Sequence, residues 1–598
     1  MTSASGRPVW LTGAADPVFA FLHEPDDTPP PDVAVLLCPP FGWEEMCSHR
    51  ARRAWAGALA AAGFPCARMD MPSGGESAGM PHDPDRVASW KEAVASAAGW
   101  LREEFAVSRV AVIGIGVGGL IATAAVADHA PIDDLILWGV PARGRTLLRE
   151  LRAYAAVVSA RYPDDRKDEP DVDGLEVTGF AMSDQTLSDL EALDLTKLEL
   201  PGADGRRVLL IERDQLGVDR RLREHLEQSG VALEVLPAAD FGHLMAHPQE
   251  ARAPRATIAA TITWLRSPAP PAVPPSGSGP RVHAVEAATV VHEGVEVTET
   301  PLTIPTAAGR LVGMLSMPAD DDVAPVCAVL LNAGALRRIG PNRTWVEVSR
   351  RWAAAGVPTV RVDFEGIGDS DGDERGVRTN TDLYSDRMIA QTRAVLEDLA
   401  GRGLPPRFVL VGLCSGAYWA LHAALADPRV AGAFMLNLYS FYWSQELVAE
   451  RDRRDTVAFL RGGVIKRLAR GGISAHQIRR ALRGIRGGLR PGTGSVEGSQ
   501  ESEVGLALDR LRDQDTHVLL ALSEGEPLYD QFEREGRLAR LDQWPNVTLD
   551  RLPSRDHMLR ALWAQADVGE RLDNGLEGLL ARVWPDRRPG SKLGAAGS

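Results

Sequence analysis

Cysteine is scarce in this 598-residue chain: there are five, Cys38, Cys47, Cys66, Cys327 and Cys414. They are too few and too scattered for a disulfide framework or a structural zinc site, and an odd count leaves at least one unpaired within the chain. Positive charge is short as well. Asp and Glu number 81 against 66 Lys and Arg, a formal net charge of −15, which argues against broad nucleic-acid binding because phosphates need a positive field. Long uninterrupted apolar runs are missing. The nearest approach, residues 110–127, contains Gly114, Gly116, Gly118 and Gly119 and lies between Arg109 and Asp128; a buried strand turning into a helix explains it better than a membrane span. Residues 1–10 show no basic stretch followed by an apolar core, so no secretory signal is expected and a cytoplasmic location is. No P-loop, dinucleotide fingerprint or metal-ligand spacing is present, and no cofactor or metal is expected. What is there is an ordinary globular composition, 44% hydrophobic and 25% charged, in a chain long enough for two large domains.

Residues 267–280, SPAPPAVPPSGSGP, cannot hold a regular element and divide the chain into halves of similar size. The halves share an order of signals. An apolar run at 33–38 leads into PPFGWEEM, a helical pattern and a second strand ending in MDMPSGGESAG; an apolar run at 326–331 leads into NAGALRRIG, a helical pattern and VDFEGIGDSDG. Asp70 and Asp363 match at an offset of 293, Gly116 and Cys414 at 298, His243 and His557 at 314. Such offsets indicate an internal repeat of a whole domain. Apolar strands alternating with amphipathic helices predict, in each copy, a mostly parallel sheet covered by helices on both faces.

The most informative segment is 409–421. A sharp strand-to-helix turn that exposes a nucleophile needs small residues two before and two after it. Gly412-Leu413-Cys414-Ser415-Gly416 meets that requirement with Cys414 at the centre; centring on Ser415 would place Leu413 where a small residue belongs. The helix N-terminus there favours a thiolate. A thiolate needs a base and a group to orient it. His557, in the loop SRDHML after the apolar run 547–552, follows the order nucleophile–acid–histidine. The loop SEGEPLYD offers Glu524, Glu526 and Asp530, of which Glu526 is chosen by position and Asp530 stands second. Backbone N–H groups of Ser415 and Ala335 are the expected oxyanion donors.

These residues and their order resemble the α/β-hydrolase superfamily over both halves. More narrowly, PPFGWEEM and GLCSGA resemble the paired hydrolases associated with exosortase systems, here joined in one chain. The superfamily resemblance implies two tandem α/β-hydrolase domains and a Ser, Asp or Cys nucleophile with a histidine and an acid. Cysteine in place of the common serine shifts the expected chemistry from simple ester hydrolysis toward acyl transfer or thioester cleavage on a carrier-bound or CoA-bound acyl substrate, expected in biosynthetic metabolism. The alternatives are a carboxylesterase or other hydrolase using the same triad, a lyase or cyclase acting on a biosynthetic intermediate, and a noncatalytic scaffold.

The first copy departs further from the pattern. Its elbow reads Gly114-Ile115-Gly116-Val117-Gly118, with glycine at the nucleophile position; His243 remains, and Asp214 or Asp219 could stand for the acid. Without a side chain at Gly116, covalent catalysis is excluded and a pseudoenzyme domain is expected. The resulting division is a first domain over 1–266, a linker over 267–285, a catalytic domain over 286–585 with a cap near 438–505, and a disordered tail over 586–598. Within the cap, residues 451–490 carry twelve Arg or Lys against two Asp. That basic balance suits an acidic partner such as coenzyme A or the phosphopantetheine arm of an acyl carrier protein, delivering an acyl thioester substrate.

Overall fold

The structure, a computed structural model, describes residues 6–25, 32–159, 174–272, 280–319, 322–444 and 497–585. The expected tail at 586–598, the basic run 451–490 and most of the expected cap lie outside the described residues.

Two nine-stranded sheets carry the chain. In the first, the order from one edge is His283–Val285, Arg7–Thr12, Val18–His23, Cys66–Met69, Val33–Cys38, Arg109–Ile115, Asp134–Trp138, Arg207–Ile211, Ala232–Leu236. In the second it is Ala288–His292, Val295–Thr306, Gly309–Pro318, Thr359–Asp363, Cys327–Leu330, Phe408–Leu413, Val430–Leu436, His517–Ser523, Val547–Leu552. Each sheet is antiparallel at its beginning and parallel from the fourth strand in these orders onward. Apart from the edge strands His283–Val285 and Ala288–His292, the two orders are the same. The central strands are buried along their whole length, as a sheet covered on both faces requires.

The glycine-rich run of the first half resolves into the strand Arg109–Ile115 and the helix Val117–Ala127, all but the last residue of which is buried. No helix among the described residues is long and apolar enough to cross a membrane. Two boundaries differ from the sequence reading. Residues 283–285, inside the expected linker, pair antiparallel with the first half's opening strand, Trp10 opposite Val285; the Pro-free end of the linker is able to extend that sheet. The helix Glu497–Asp513 begins inside the expected cap, and its Val504, Ala507, Leu508 and Leu511 join the second half's core.

The halves meet through reciprocal contacts. Arg68 Nη2 lies 2.6 Å from Asp369 Oδ1, and Arg361 Nη2 lies 2.8 Å from Glu76 Oε2; Arg68 and Arg361 are 293 residues apart, as are Glu76 and Asp369. Arg53 donates to the carbonyls of Gly368 and Ser370 at 3.1 and 2.7 Å, while Arg343 donates to those of Gly75 and Ser77 at 2.9 and 2.8 Å. Equivalent surfaces thus face each other as they do in a two-fold dimer, but within one chain. An apolar cluster including Trp10, Phe19, Phe21, Val290 and Met314 lies beside this charged network. The interface is therefore more ionic than the apolar one that two domains on a short linker suggest. Arg338, Arg361, Glu76 and Glu299 are fully buried there, each with a charged partner, the condition on which buried charge is tolerated.

Candidate active site

At the end of the strand Phe408–Leu413 the chain turns at Cys414 into the helix Ser415–Ala426. Cys414 sits at φ 59°, ψ −115°, a region that costs a residue with a side chain about 1–3 kcal/mol and is characteristic of functional turns. The flanking glycines are obligatory. A Cβ on Gly412 would run into the backbone of Gly416, and one on Gly416 into the carbonyl of Asn332. Cys414 is partly accessible, whereas the other four cysteines are buried; burial pushes the Cys327 thiol up to about 12.

His557 lies in the loop after Val547–Leu552, and its Nδ1 is 2.6 Å from Glu526 Oε1. Glu526 stands at the N-cap of the helix Pro527–Arg534, where Pro527 suits the first helical position. The other ring nitrogen, Nε2, is buried and hydrogen-bonds no nitrogen or oxygen; the Cys414 sulfur is the group beside it. Burial opposes a charge on the ring, yet the Cys414 and Glu526 anions on its two sides outweigh that and raise His557 well above its usual value. Asp530 is exposed on the first turn of the following helix, and Glu524 is turned to Arg555 at 2.7 Å. The structure thus brings Cys414, His557 and Glu526 together and leaves Asp530 outside.

The direction of the His557 shift has a consequence for reactivity. A ring that keeps its proton through neutrality stabilises the neighbouring thiolate, so the thiolate should persist well below the ordinary thiol value of about 8.5. Alkylation of Cys414 by iodoacetamide is expected to slow only a few-fold between pH 8 and pH 6. In His557→Ala it should slow by about 10²-fold over the same span, as a free thiol does. Parallel pH profiles in the two proteins would remove the ion pair from the picture.

Above the sulfur, the hydroxyl of Tyr384 is 3.5 Å from Cys414 Sγ, and its ring stacks on Trp443 at 3.9 Å between centroids. The loop after Cys327–Leu330 runs past the elbow. Its Gly334 N–H donates to Ser415 Oγ at 3.0 Å, and the Ala335 N–H has no hydrogen-bond partner among the described residues. Ser415 is fully buried, so its hydroxyl ties this loop down instead of facing substrate.

Three supporting residues escaped the sequence reading. Asn437 donates to Ser523 Oγ and to the His557 carbonyl, at 2.9 and 2.8 Å, and so fastens the acid loop to the histidine loop. A polar residue directly after the core strand Val430–Leu436 was the available signal. Asn332 donates to the Leu336 carbonyl and to Asp363, at 3.0 and 3.1 Å, shaping the donor loop. Tyr384 comes from a separate turn 30 residues before the nucleophile, and nothing in sequence pointed to it.

In the first half Gly116 adopts φ 52°, ψ −117°, nearly the angles of Cys414, at the start of the helix Val117–Ala127. A Cβ there would meet Pro40 and Glu44 at 3.6 and 3.7 Å, ordinary contact distances. The elbow is kept while its partners are not. Asp214 accepts the backbone N–H groups of Phe241 and Gly242, both at 2.9 Å. Asp219 caps the helix Arg220–Gln228 and accepts from Ala142 N–H at 2.9 Å. His243 is exposed, and among the described residues its ring meets neither acid. Instead Glu44, which sequence reading overlooked, faces the vacant position, and burial pushes its carboxyl up to about 7.

No protein-family model matches this chain, and no curated protein matches it. Solved structures similar to part of it include Est1E from Butyrivibrio proteoclasticus with bound ferulic acid, at 15% identity and TM-score 0.31, covering 43% of this chain and 97% of that one. The α/β serine hydrolase XC6422 from Xanthomonas campestris aligns at 18% identity and TM-score 0.28, covering 44% and 97%. A thermostable carboxyl esterase from Bacillus coagulans in complex with glycerol aligns at 16% and 0.30, covering 44% and 98%. Each of these structures aligns with less than half of the present chain; what the chain itself shows is a tandem of two mostly parallel, helix-covered sheets with the same strand order and the same strand-to-helix elbow.

Proposed function

We propose that the second half is a cysteine-dependent acyl-transfer enzyme acting on thioesters, with Cys414 as nucleophile, His557 as acid and base, and Glu526 as its orienter. The observation that carries this reading is the His557 ring set between the Glu526 carboxylate and the Cys414 sulfur. In the first step Sγ bonds to the carbonyl carbon, the carbon–sulfur bond of the substrate breaks, and His557 gives its proton to the departing thiolate. In the second, water or an acceptor hydroxyl loses its proton to His557 as its oxygen bonds to the carbonyl carbon, and the Cys414 thiolate leaves. N–H groups of Ser415 and Ala335 stabilise the oxyanion of both steps.

Thioesters are favoured because exchange between two thiols is nearly balanced in energy. The +10 balance of residues 451–490 adds the expectation of a phosphate-bearing carrier, coenzyme A or an acyl carrier protein. The resemblance of GLCSGA and PPFGWEEM to exosortase-associated hydrolases supports reading the substrate as a biosynthetic one. The second reading, hydrolysis of plain carboxylic esters by the same residues, fits the esterases among the similar structures better.

The test is intact mass and turnover with matched acyl groups presented as coenzyme A thioesters and as p-nitrophenyl esters. An acyl adduct on Cys414 with thioester turnover at least about tenfold higher in kcat/KM supports the first reading. A preference for oxyesters transfers the assignment to the second, and no adduct from either class leaves a noncatalytic scaffold.

A further inference from the structure

We propose that the first half sets the shape of the second half's oxyanion loop, with Glu45 and Asp70 acting through Arg337 as positioning residues. The proposal rests on the reading of the Cys414 site given above. The donor loop is held at both ends from within the second half: Gly334 N–H by Ser415 Oγ, and Arg338 by Asp363, which accepts its backbone N–H at 2.6 Å and its guanidinium at 2.8 Å. Between these ends stands Arg337, two residues after Ala335. Its side chain is 3% exposed and turns out of its own domain, 3.0 Å from Glu45 and 3.2 Å from both oxygens of Asp70.

Both acids belong to the first half's copy of the same region. Glu45 stands 293 residues before Arg338, and Asp70 stands 293 before Asp363. At the first of these matched positions the charge is opposite, Glu45 in the first turn of the helix Trp43–Ala61 against Arg338 in the donor loop, while the second is aspartate in both halves. Glu45 is itself held by Arg52, and Asp70 accepts the Glu76 N–H at 2.9 Å, so neither acid is free to follow Arg337. Leu336 and Ile339 also pack with Trp43, Met46 and Cys47 of the first half. A buried guanidinium without its carboxylates must move to reach water, and the chain two residues away carries the Ala335 N–H with it.

The test uses the full chain with Glu45→Gln and Asp70→Asn combined. Acylation of Cys414 should fall by about 10²-fold, in kcat and not in KM, because an oxyanion donor is worth about 10²–10³ in rate. Iodoacetamide alkylation, which needs the thiolate but no oxyanion hole, should stay within about twofold of wild type. Amide hydrogen exchange over 333–337 should speed up about tenfold or more. Adding Arg337→Met removes the stranded charge and should slow that exchange again, which a general loss of structure would not do. Arg53→Gln, cut at the same interface but away from the loop, should change none of these. Wild-type acylation and exchange in the acid variant, or alkylation and acylation falling together, would overturn the proposal. If wild-type protein acquires no acyl group the assigned chemistry fails, and exchange over 333–337 still decides the claim about the loop.

Discussion

Cys414→Ala should lose acyl-enzyme formation and at least about 10³-fold of turnover, since removing the nucleophile leaves only oxyanion stabilisation and binding. Thermal stability should change little, because alanine keeps the Cβ and with it the strain of the positive-φ turn, and only the partly buried sulfur is lost. Cys414→Ser should retain weak hydrolysis at best, since a hydroxyl is a far weaker acid than a thiol and needs a stronger base to give up its proton. Ser415→Ala provides the contrast. From sequence, only its backbone N–H mattered; with Gly334 N–H bound to its hydroxyl, we expect a loss of about tenfold in kcat with alkylation of Cys414 intact. Full labelling in Cys414→Ala together with none in Ser415→Ala would reverse the assignment of the nucleophile.

Residues 286–585 expressed alone should be insoluble or unfolded. The cut strips Arg337 of both its carboxylates and takes Glu76 from Arg338 and Arg361. Within the full chain, where the face stays buried, removing one partner of such a pair costs about 3–5 kcal/mol, against a total stability of about 5–15 kcal/mol for a domain. In the full chain, Glu76→Gln isolates the effect: it leaves the volume unchanged and should lower the melting temperature by several degrees. The pH dependence follows from Glu299. Burial alone would raise its carboxyl, but Arg350 and Arg361 hold it down to about 2 from 4.5. A depressed carboxyl contributes stability that is complete above 4.5 and is lost as pH falls toward about 2. Glu299→Gln should therefore be less stable than wild type in denaturant at pH 7, and the difference should shrink as pH falls from 4.5 toward about 2. A soluble, cooperative and fully active second half on its own would sink the dependence on the first.

The repeat, the parallel sheets and the turn at Cys414 were legible in sequence because each is local. Apolar runs such as 33–38 and 408–413 mark buried strands, and Gly412 and Gly416 report a steric demand made by their own neighbours. His557 and Glu526 could be named from chain order, since each sits in a short loop after a parallel strand of the sheet. The interface could not be read in this way. Arg337, Arg338 and Arg361 look like solvated surface residues in a list of letters; the first-half carboxylates they meet stand about 260–300 positions away, and only the packing of one half on the other brings Glu45, Asp70 and Glu76 to them. The same holds for Asp214, a plausible acid by position that tertiary contact turns to the N–H groups of Phe241 and Gly242. Sequence by itself determined which backbone turns can form and which side chains the chain order could bring to one end of the sheet. The tertiary structure decided which charges are paired, because burial makes a charge depend on a partner that chain distance does not reveal.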